Sequence, residues 1–275
     1  MARRKQGSDI KALIDGIGAI FALIGLIFSF FQYLYEKIAH KKAVFSVERA
    51  PQEPLRRADI PDRSTERIIP GSAKRLNAKY EIKKFLDSDK KEKLIIFDLE
   101  TNGLDPSYSV LSCSAIKYEI DPLTYEMNEL DCFDRYYYPV EQYSPGAIAV
   151  NGLTEEVITR HRGDCCDYPR HFAGDEDFKK FCRGINLVVA HNVSFDTRFA
   201  PHLKRKKKFC TMMINTDIVA VRFLEWKGEW KWPTLSETAD FYGVSYQGDG
   251  LHRSINDTRI TEGIFRKMLE AVKAE

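Results

Sequence analysis

The chain has 275 residues, is 44% hydrophobic and carries a formal net charge of +2. That length and apolar content support one main buried core with appendages and exclude a disordered protein. The net charge says little about partners, because it averages basic stretches (Lys204-Arg205-Lys206-Lys207-Lys208, and Lys83 to Lys93) against acidic ones. The six cysteines form no CxxC pair and show no metal-ligand spacing with histidine. They read as reduced thiols of a cytosolic-type compartment, with a disulfide framework as the alternative.

The first element in chain order is an apolar run without formal charge, Gly16 to Tyr35. A helix of about 20 residues at about 1.5 Å per residue spans the hydrocarbon core of a bilayer, so a single transmembrane helix is expected here. A signal peptide and a buried soluble helix are the alternatives; the length of the run and its bulky end, Phe30-Phe31-Gln32-Tyr33-Leu34-Tyr35, favour an uncleaved anchor. Lys and Arg are evenly divided between the flanks (Arg3, Arg4, Lys5, Lys11 against Lys37, Lys41, Lys42, Arg49), so the positive-inside bias does not orient it. Gly18, Ala22, Gly25 and Ser29 follow at helical spacing and form a small-residue stripe. Such a stripe permits close helix pairing, with a second copy or another membrane protein, although Gly and Ala are common in membrane helices without pairing.

From Glu48 to Gly71 the sequence is charged and contains Pro51, Pro54, Pro61 and Pro70, which describes a solvated spacer. Ser72 is positioned to cap a helix over Ala73 to Leu86. Leu94-Ile95-Ile96-Phe97 has the continuous apolar character of a buried central strand. Leu111 to Ile120 and Leu130 to Val140 are further strands, separated by Asp121-Pro122. Helices are expected from Thr154 and over Asp175 to Arg183, a second buried strand over Leu187 to Ala190, a helix near Ser194, and a last helix over Asn256 to Ala274. This order gives an α/β domain with a mixed sheet. The chain thus divides into an N-terminal anchor (1–42), a linker with an edge helix (43–92) and a main domain (93–275).

The chemistry is concentrated in three stretches: Phe97-Asp98-Leu99-Glu100-Thr101, His191-Asn192-Val193-Ser194-Phe195-Asp196, and His252-Arg253-Ser254-Ile255-Asn256-Asp257. Asp98 and Glu100 are two apart on an extended chain, so their side chains share a face and can share one cation. Asp196 and Asp257 fall in the first turns of two helices that can project toward the same strand end. Clustered carboxylates repel unless a cation neutralises them, and magnesium prefers such oxygen ligands.

These stretches resemble the three exonuclease motifs of the DEDDh, or DnaQ-like, family of 3′ to 5′ exonucleases, and the resemblance runs from about Lys93 to Leu269. Ile148-Ala149-Val150-Asn151-Gly152-Leu153-Thr154 is similar to a loop of the same family. The resemblance implies a ribonuclease-H-like, mixed five-stranded sheet flanked by helices, and an enzyme that releases nucleoside 5′-monophosphates from DNA or RNA ends with two Mg2+, Mn2+ substituting. It implies Asp98, Glu100 and Asp257 as ligands of one metal, Asp98 bridging to a second, Asp196 holding the second, and His252 as general base. Thr101, Leu104, Asn151, Asn192 and Phe195 are the expected substrate contacts. The family commonly carries a second Thr where Asn102 stands, His where Asn151 stands, and Ala-Leu where Ser254-Ile255 stands, which bears on substrate fit rather than on the reaction.

An enzyme acting on nucleic acid with magnesium places its domain on the cytoplasmic side of a single-pass membrane anchor. The competing expectation is a catalytically quiet end-binding or scaffold protein at a membrane; the presence of all four acids and the histidine speaks against it. Free nucleotides or small phosphodiesters would use the same site. His191 is expected to hydrogen-bond locally rather than to ligate metal. The basic run 204–208 is either a solvated face or a phosphate contact. Trp226, Trp230 and Trp232, interleaved with Lys227 and Lys231, either pack or stack on unpaired bases.

Overall fold

The computed structural model of the chain describes residues 78–163, 167–246 and 254–273. The apolar run 16–35, its Gly18/Ala22/Gly25/Ser29 stripe, the linker, Cys165, Cys166 and His252 lie outside the described residues. Among the described residues no helix is long and apolar enough to cross a membrane, and Cys113, Cys132, Cys182 and Cys210 are free thiols.

Helix α1 (Ala78–Phe85) leads into β1 (Glu92–Thr101), β2 (Val110–Ile120) and β3 (Met127–Tyr136). Helices α2 (Pro145–Asn151), α3 (Glu155–Arg162) and α4 (Glu176–Phe181) follow, then β4 (Leu187–Ala190), α5 (Val193–Phe199), β5 (Lys207–Cys210) and α6 (Thr211–Val219). A short hairpin, β6 (Phe223–Leu224) with β7 (Glu229–Trp230), precedes α7 (Leu235–Tyr242) and the long α8 (Ser254–Lys273). The main sheet has five strands in the order β3-β2-β1-β4-β5. β1 is antiparallel to β2 and parallel to β4, β2 is antiparallel to β3, and β4 is parallel to β5. The sheet is therefore mixed, five-stranded and flanked by helices, as the motifs imply.

Sequence explains most of these boundaries. Thr154 caps α3 through Val157 N, Asp175 caps α4 through Asp177 N, and left-handed Gly152 and Gly243 close α2 and α7. Ile260, Ile264, Phe265, Met268, Leu269 and Val272 form one apolar stripe on α8, which packs with Leu94, Ile96, Ile116, Tyr118 and Ile120 from the sheet. The other sheet face, with Ile95, Phe97, Leu99, Cys113 and Val188, packs with Phe178, Phe181, Phe199 and Leu203. Each such fully buried side chain stabilises the fold by about 1.5–3 kcal/mol. A Cβ on Gly263 would lie 2.7 Å from Val244 Cγ1, so glycine permits the close approach of α8 to the chain leaving α7.

Three details differ from expectation. β3 begins at Met127 and ends at Tyr136: Tyr137 N still donates to Leu111 O in register with the Ser112–Tyr136 pair, but Tyr138 N turns away to donate to Arg170 O, so the chain leaves the ladder before Val140. The fifth strand begins in the basic run: Lys207 and Lys208 pair beside Leu187 and Val188, and a strand with only Phe209 buried lacks the apolar signature of its neighbours. Lys207 is level with Leu187 and hence with Leu94 at the start of β1. Asp98 lies about 13 Å further along the strand direction, so the run 204–208 sits toward the opposite end of the sheet from the acids. Lys207 Nζ pairs with Asp87 there.

Candidate metal centre

The two-residue period of β1 divides its side chains between the sheet faces. Leu94 and Ile96 face the α8 core, and Asp98 and Glu100 continue that face to the strand's end. Across β2 they stand level with Ser114 and Ser112. A register shift follows between Glu100 and Thr101, a bulge of the kind that re-aims side chains at a sheet rim. Asp257, in the first turn of α8, comes over the same face. Asp98, Glu100 and Asp257 each offer a carboxylate oxygen, and these oxygens lie within 4.8 Å of one another. Hard oxygen donors at this spacing fit a divalent cation, because three carboxylates so close repel each other without one.

Asp196 approaches from the other side of the sheet. Asn192 adopts the left-handed conformation (φ 81°) where β4 gives way to α5, a geometry Asn tolerates better than most residues. The turn starts the helix so that Asp196 falls within its first turn. Asp196 is buried and its Oδ1 accepts a hydrogen bond from Leu99 N at 3.3 Å. It thus reaches the backbone of β1 between Asp98 and Glu100 but stands outside the three-carboxylate group. Burial pushes its carboxyl up to about 8, only partly offset by the amides of Asp196 and Leu99 and by the charge of Arg198.

His191 is occupied in the way expected of a local structural group. Its Nε2 lies 3.1 Å from Pro233 O and its Nδ1 3.0 Å from Thr211 Oγ1. A carbonyl only accepts, so Nε2 donates, and in the neutral ring Nδ1 accepts from Thr211. Burial holds its pKa down to about 4.

The expected substrate contacts divide into two groups. Thr101 and Asn151 are buried and serve the backbone: Thr101 Oγ1 donates to Gly103 O at 2.7 Å, and Asn151 Nδ2 donates to Thr101 O while its Oδ1 accepts from Leu153 N. Asn102 is likewise saturated by Glu141, Gln142 O and Ser144 N, and anchors the loop after β1. Leu104, 43% exposed, and Phe195, packed on Phe199, remain at the surface of this end of the sheet. Arg198 links them: Nη2 donates to Leu104 O at 3.1 Å, and the guanidinium lies over the Phe195 ring. Sequence reasoning passed over Arg198, whose signal was its place one turn from Phe195 on a short exposed helix face. It also passed over Ser114, legible only once the β1–β2 register is known. Among the tryptophans, Trp230 packs against Phe223, while Trp226 and Trp232 are exposed.

A mixed five-stranded sheet with acids gathered at the end of its central strand is the ribonuclease-H-like arrangement of a nuclease, a phosphodiester hydrolase. The Exonuclease (RNase_T) family model matches residues 95–265, and the chain belongs to this family. Among its relatives is the PolC-type DNA polymerase III of Bacillus cereus, 29% identical over 188 residues, covering 66% of this chain and 12% of the polymerase. The Staphylococcus haemolyticus enzyme of the same type is 29% identical over 191 residues, covering 68% of this chain and 12% of the polymerase. The chain thus spans about one eighth of the length of these relatives. Similar solved structures include Exonuclease X in complex with 5′ overhanging duplex DNA, with TM-score 0.45 and 23% identity, covering 65% of this chain and 92% of that one. Another is the nuclease domain of 3′hExo, a DEDDh family member, bound to rAMP, with TM-score 0.38 and 16% identity, covering 66% of this chain and 92% of that one.

Proposed function

We propose that this chain is a 3′ to 5′ exonuclease that depends on divalent metal ions, releases nucleoside 5′-monophosphates from a DNA or RNA end, and is tethered to a membrane through residues 16–35. The observation that carries the catalytic part is the convergence of Asp98, Glu100 and Asp257 within 4.8 Å at the end of the central strand. Asp196, on the far side of Leu99, is the fourth acid, for a second cation. Magnesium bound by these acids would supply an acidified water and stabilisation of the leaving 3′ oxygen. The chain's own part is to hold the acids on rigid elements and to accept the water's proton, a role assigned to His252 in the third motif. Leu104 and Phe195, exposed or half-buried beside the acids, suit contact with a terminal base. The apolar length of 16–35 supports the tether, and a cytoplasmic domain follows from its need for nucleic acid and magnesium.

The full-length protein in detergent, incubated with end-labelled single-stranded DNA, duplex DNA and RNA, should release mononucleotides from the 3′ end with magnesium and none with chelator. Asp98→Ala should reduce release to background. Activity surviving that substitution would refute the site, and end binding without hydrolysis by the wild-type chain would establish the quiet scaffold instead. Membrane fractions washed with alkaline carbonate should retain the chain; release by the wash would remove the tether.

A further inference from the structure

On the α8 face of the sheet the contact between helix and strands is apolar along most of its length, through Ile260, Ile264, Phe265, Ile116, Tyr118 and Ile120. The first turn of α8 is different. Ser254, its first residue, and Ser114 on β2 are both fully buried, with their Oγ atoms 2.6 Å apart. Ser114 Oγ is also 2.5 Å from Asp134 Oδ1 on the edge strand β3. The carboxylate only accepts, so the single Ser114 proton goes to Asp134, and Ser254 must donate to Ser114. A second tie lies one turn on, where Thr258 Oγ1 donates to Ser114 O at 3.3 Å. Ser114 stands directly across β1 from Asp98, and Asp134 directly across β2 from Ser114. Between the two tied positions of the helix lies Asp257.

We propose that Asp134, Ser114 and Ser254 form a positioning chain that fixes the first turn of α8, and with it Asp257, against the end of β1. The physical need is specific. Asp257 must stand close to Asp98 and Glu100, and mutual repulsion of the three carboxylates drives the first turn of α8 away from the strand. Apolar packing is non-directional and resists this poorly, whereas a hydrogen bond weakens steeply with small changes of distance and angle. Asp134 sets the direction of the Ser114 hydroxyl and leaves its lone pairs for Ser254. A site held ready in this way binds its cation without first drawing a helix inward. These are positioning residues, acting on the cation through Asp257. The inference rests on the metal-dependent reading above.

The test uses the full-length protein with Mn2+ as probe, titrated calorimetrically, and the Mg2+ dependence of mononucleotide release. Asp134→Ala and Ser254→Ala should each weaken Mn2+ binding by about tenfold, the range seen when groups that orient metal ligands are removed. The Mg2+ concentration for half-maximal rate should rise in parallel, with the KM for nucleic acid at saturating metal unchanged. Asp134→Asn keeps a carbonyl acceptor and should restore wild-type binding, and the double variant should lose no more than the weaker single one, since both cut the same chain. Asp134 is exposed on an edge strand, so its substitution tests the idea without a buried cavity. Unchanged Mn2+ affinity in Asp134→Ala and Ser254→Ala, or fully additive losses, would overturn the positioning role while leaving the functional reading intact. A wild-type chain that neither binds Mn2+ nor hydrolyses nucleic acid would remove that reading and the inference with it.

Discussion

Asp175 and Asp196 stand at the starts of two helices, α4 and α5, at 4% and 3% exposure, and yet the protein treats them oppositely. Asp175 Oδ2 meets Arg135 Nη1 at 2.7 Å and accepts from Tyr137 OH at 2.8 Å, while Oδ1 accepts from Asp177 N. Asp196 accepts from Leu99 N, and among the described residues no Lys or Arg forms an ion pair with it. A buried carboxylate with a built-in cation belongs to the architecture. One left with its burial penalty, beside three further acids, marks where the cation must come from outside.

Exchanging each for its amide should produce opposite outcomes, and this is the largest effect expected. Asp175→Asn breaks a buried pair and should cost about 3 kcal/mol, at the low end for such pairs because Arg135 keeps Asp177. Activity per folded molecule should be unchanged. Asp196→Asn should abolish mononucleotide release and stabilise the metal-free protein at pH 7 to 8. The sign follows from linkage. The folded-state value, about 8, lies above the ordinary 3.8, so the stability present below pH 3.8 is lost as pH rises toward 8, and asparagine has no proton to lose. Melting curves in chelator across this range check it. Parallel pH profiles for wild type and Asp196→Asn would break the comparison, as would an inactive but fully stable Asp175→Asn.

The acids were legible in the sequence because their signal is local. An apolar run of four residues ending in Asp98-Leu99-Glu100 is a buried strand delivering two carboxylates to one face, and a regular stripe from Ile260 to Val272 fixes the helix that brings Asp257. What escaped depends on tertiary neighbours. Lys207-Lys208 forms a strand because β4 offers a free edge, which no residue in the run announces. The same sheet order carries that basic run away from the acids. Asn151 reads as a substrate contact from its motif, and only the packing of the end of α2 against Thr101 O shows its amide to be engaged with the backbone. The Ser254–Ser114–Asp134 chain joins three elements that are far apart in sequence.

His191 extends the comparison to a half-buried base adjoining the second motif. With both ring nitrogens engaged by Pro233 O and Thr211, it is held neutral and cannot serve a cation. Its pKa, lowered from 6.5 to about 4, stabilises the fold above pH 6.5, and that contribution is lost as pH falls through about 4. About 2 kcal/mol should be gone by pH 5. Proton-detected titration of the imidazole in chelator should show a midpoint near 4 and the Nε2–H tautomer. A midpoint near 6.5, or one displaced by added Mg2+, would place His191 with the groups that answer to metal.

Glu237 gives the mildest case, a half-buried carboxylate with several built-in partners. Its Oε2 accepts from Thr234 N at 2.7 Å while Thr234 Oγ1 accepts from Glu237 N, closing a capping box on α7, and Lys231 Nζ reaches both carboxylate oxygens at 3.1 and 3.2 Å. The box adjoins Pro233, whose carbonyl receives His191, so it lies close in sequence to a contact of that imidazole. Thr234→Ala should cost about 1 kcal/mol through the lost cap, and Lys231→Gln less than about 1 kcal/mol, since both side chains of the pair retain some solvent. Because the charge of Glu237 is already answered within the fold, neither substitution should move the Mg2+ concentration for half-maximal rate. Urea unfolding together with a Mg2+ titration of activity measures both quantities. A shift in the Mg2+ midpoint on losing Lys231 would mean that the cation's influence extends past the acids of β1, α5 and α8 into carboxylates the fold already neutralises.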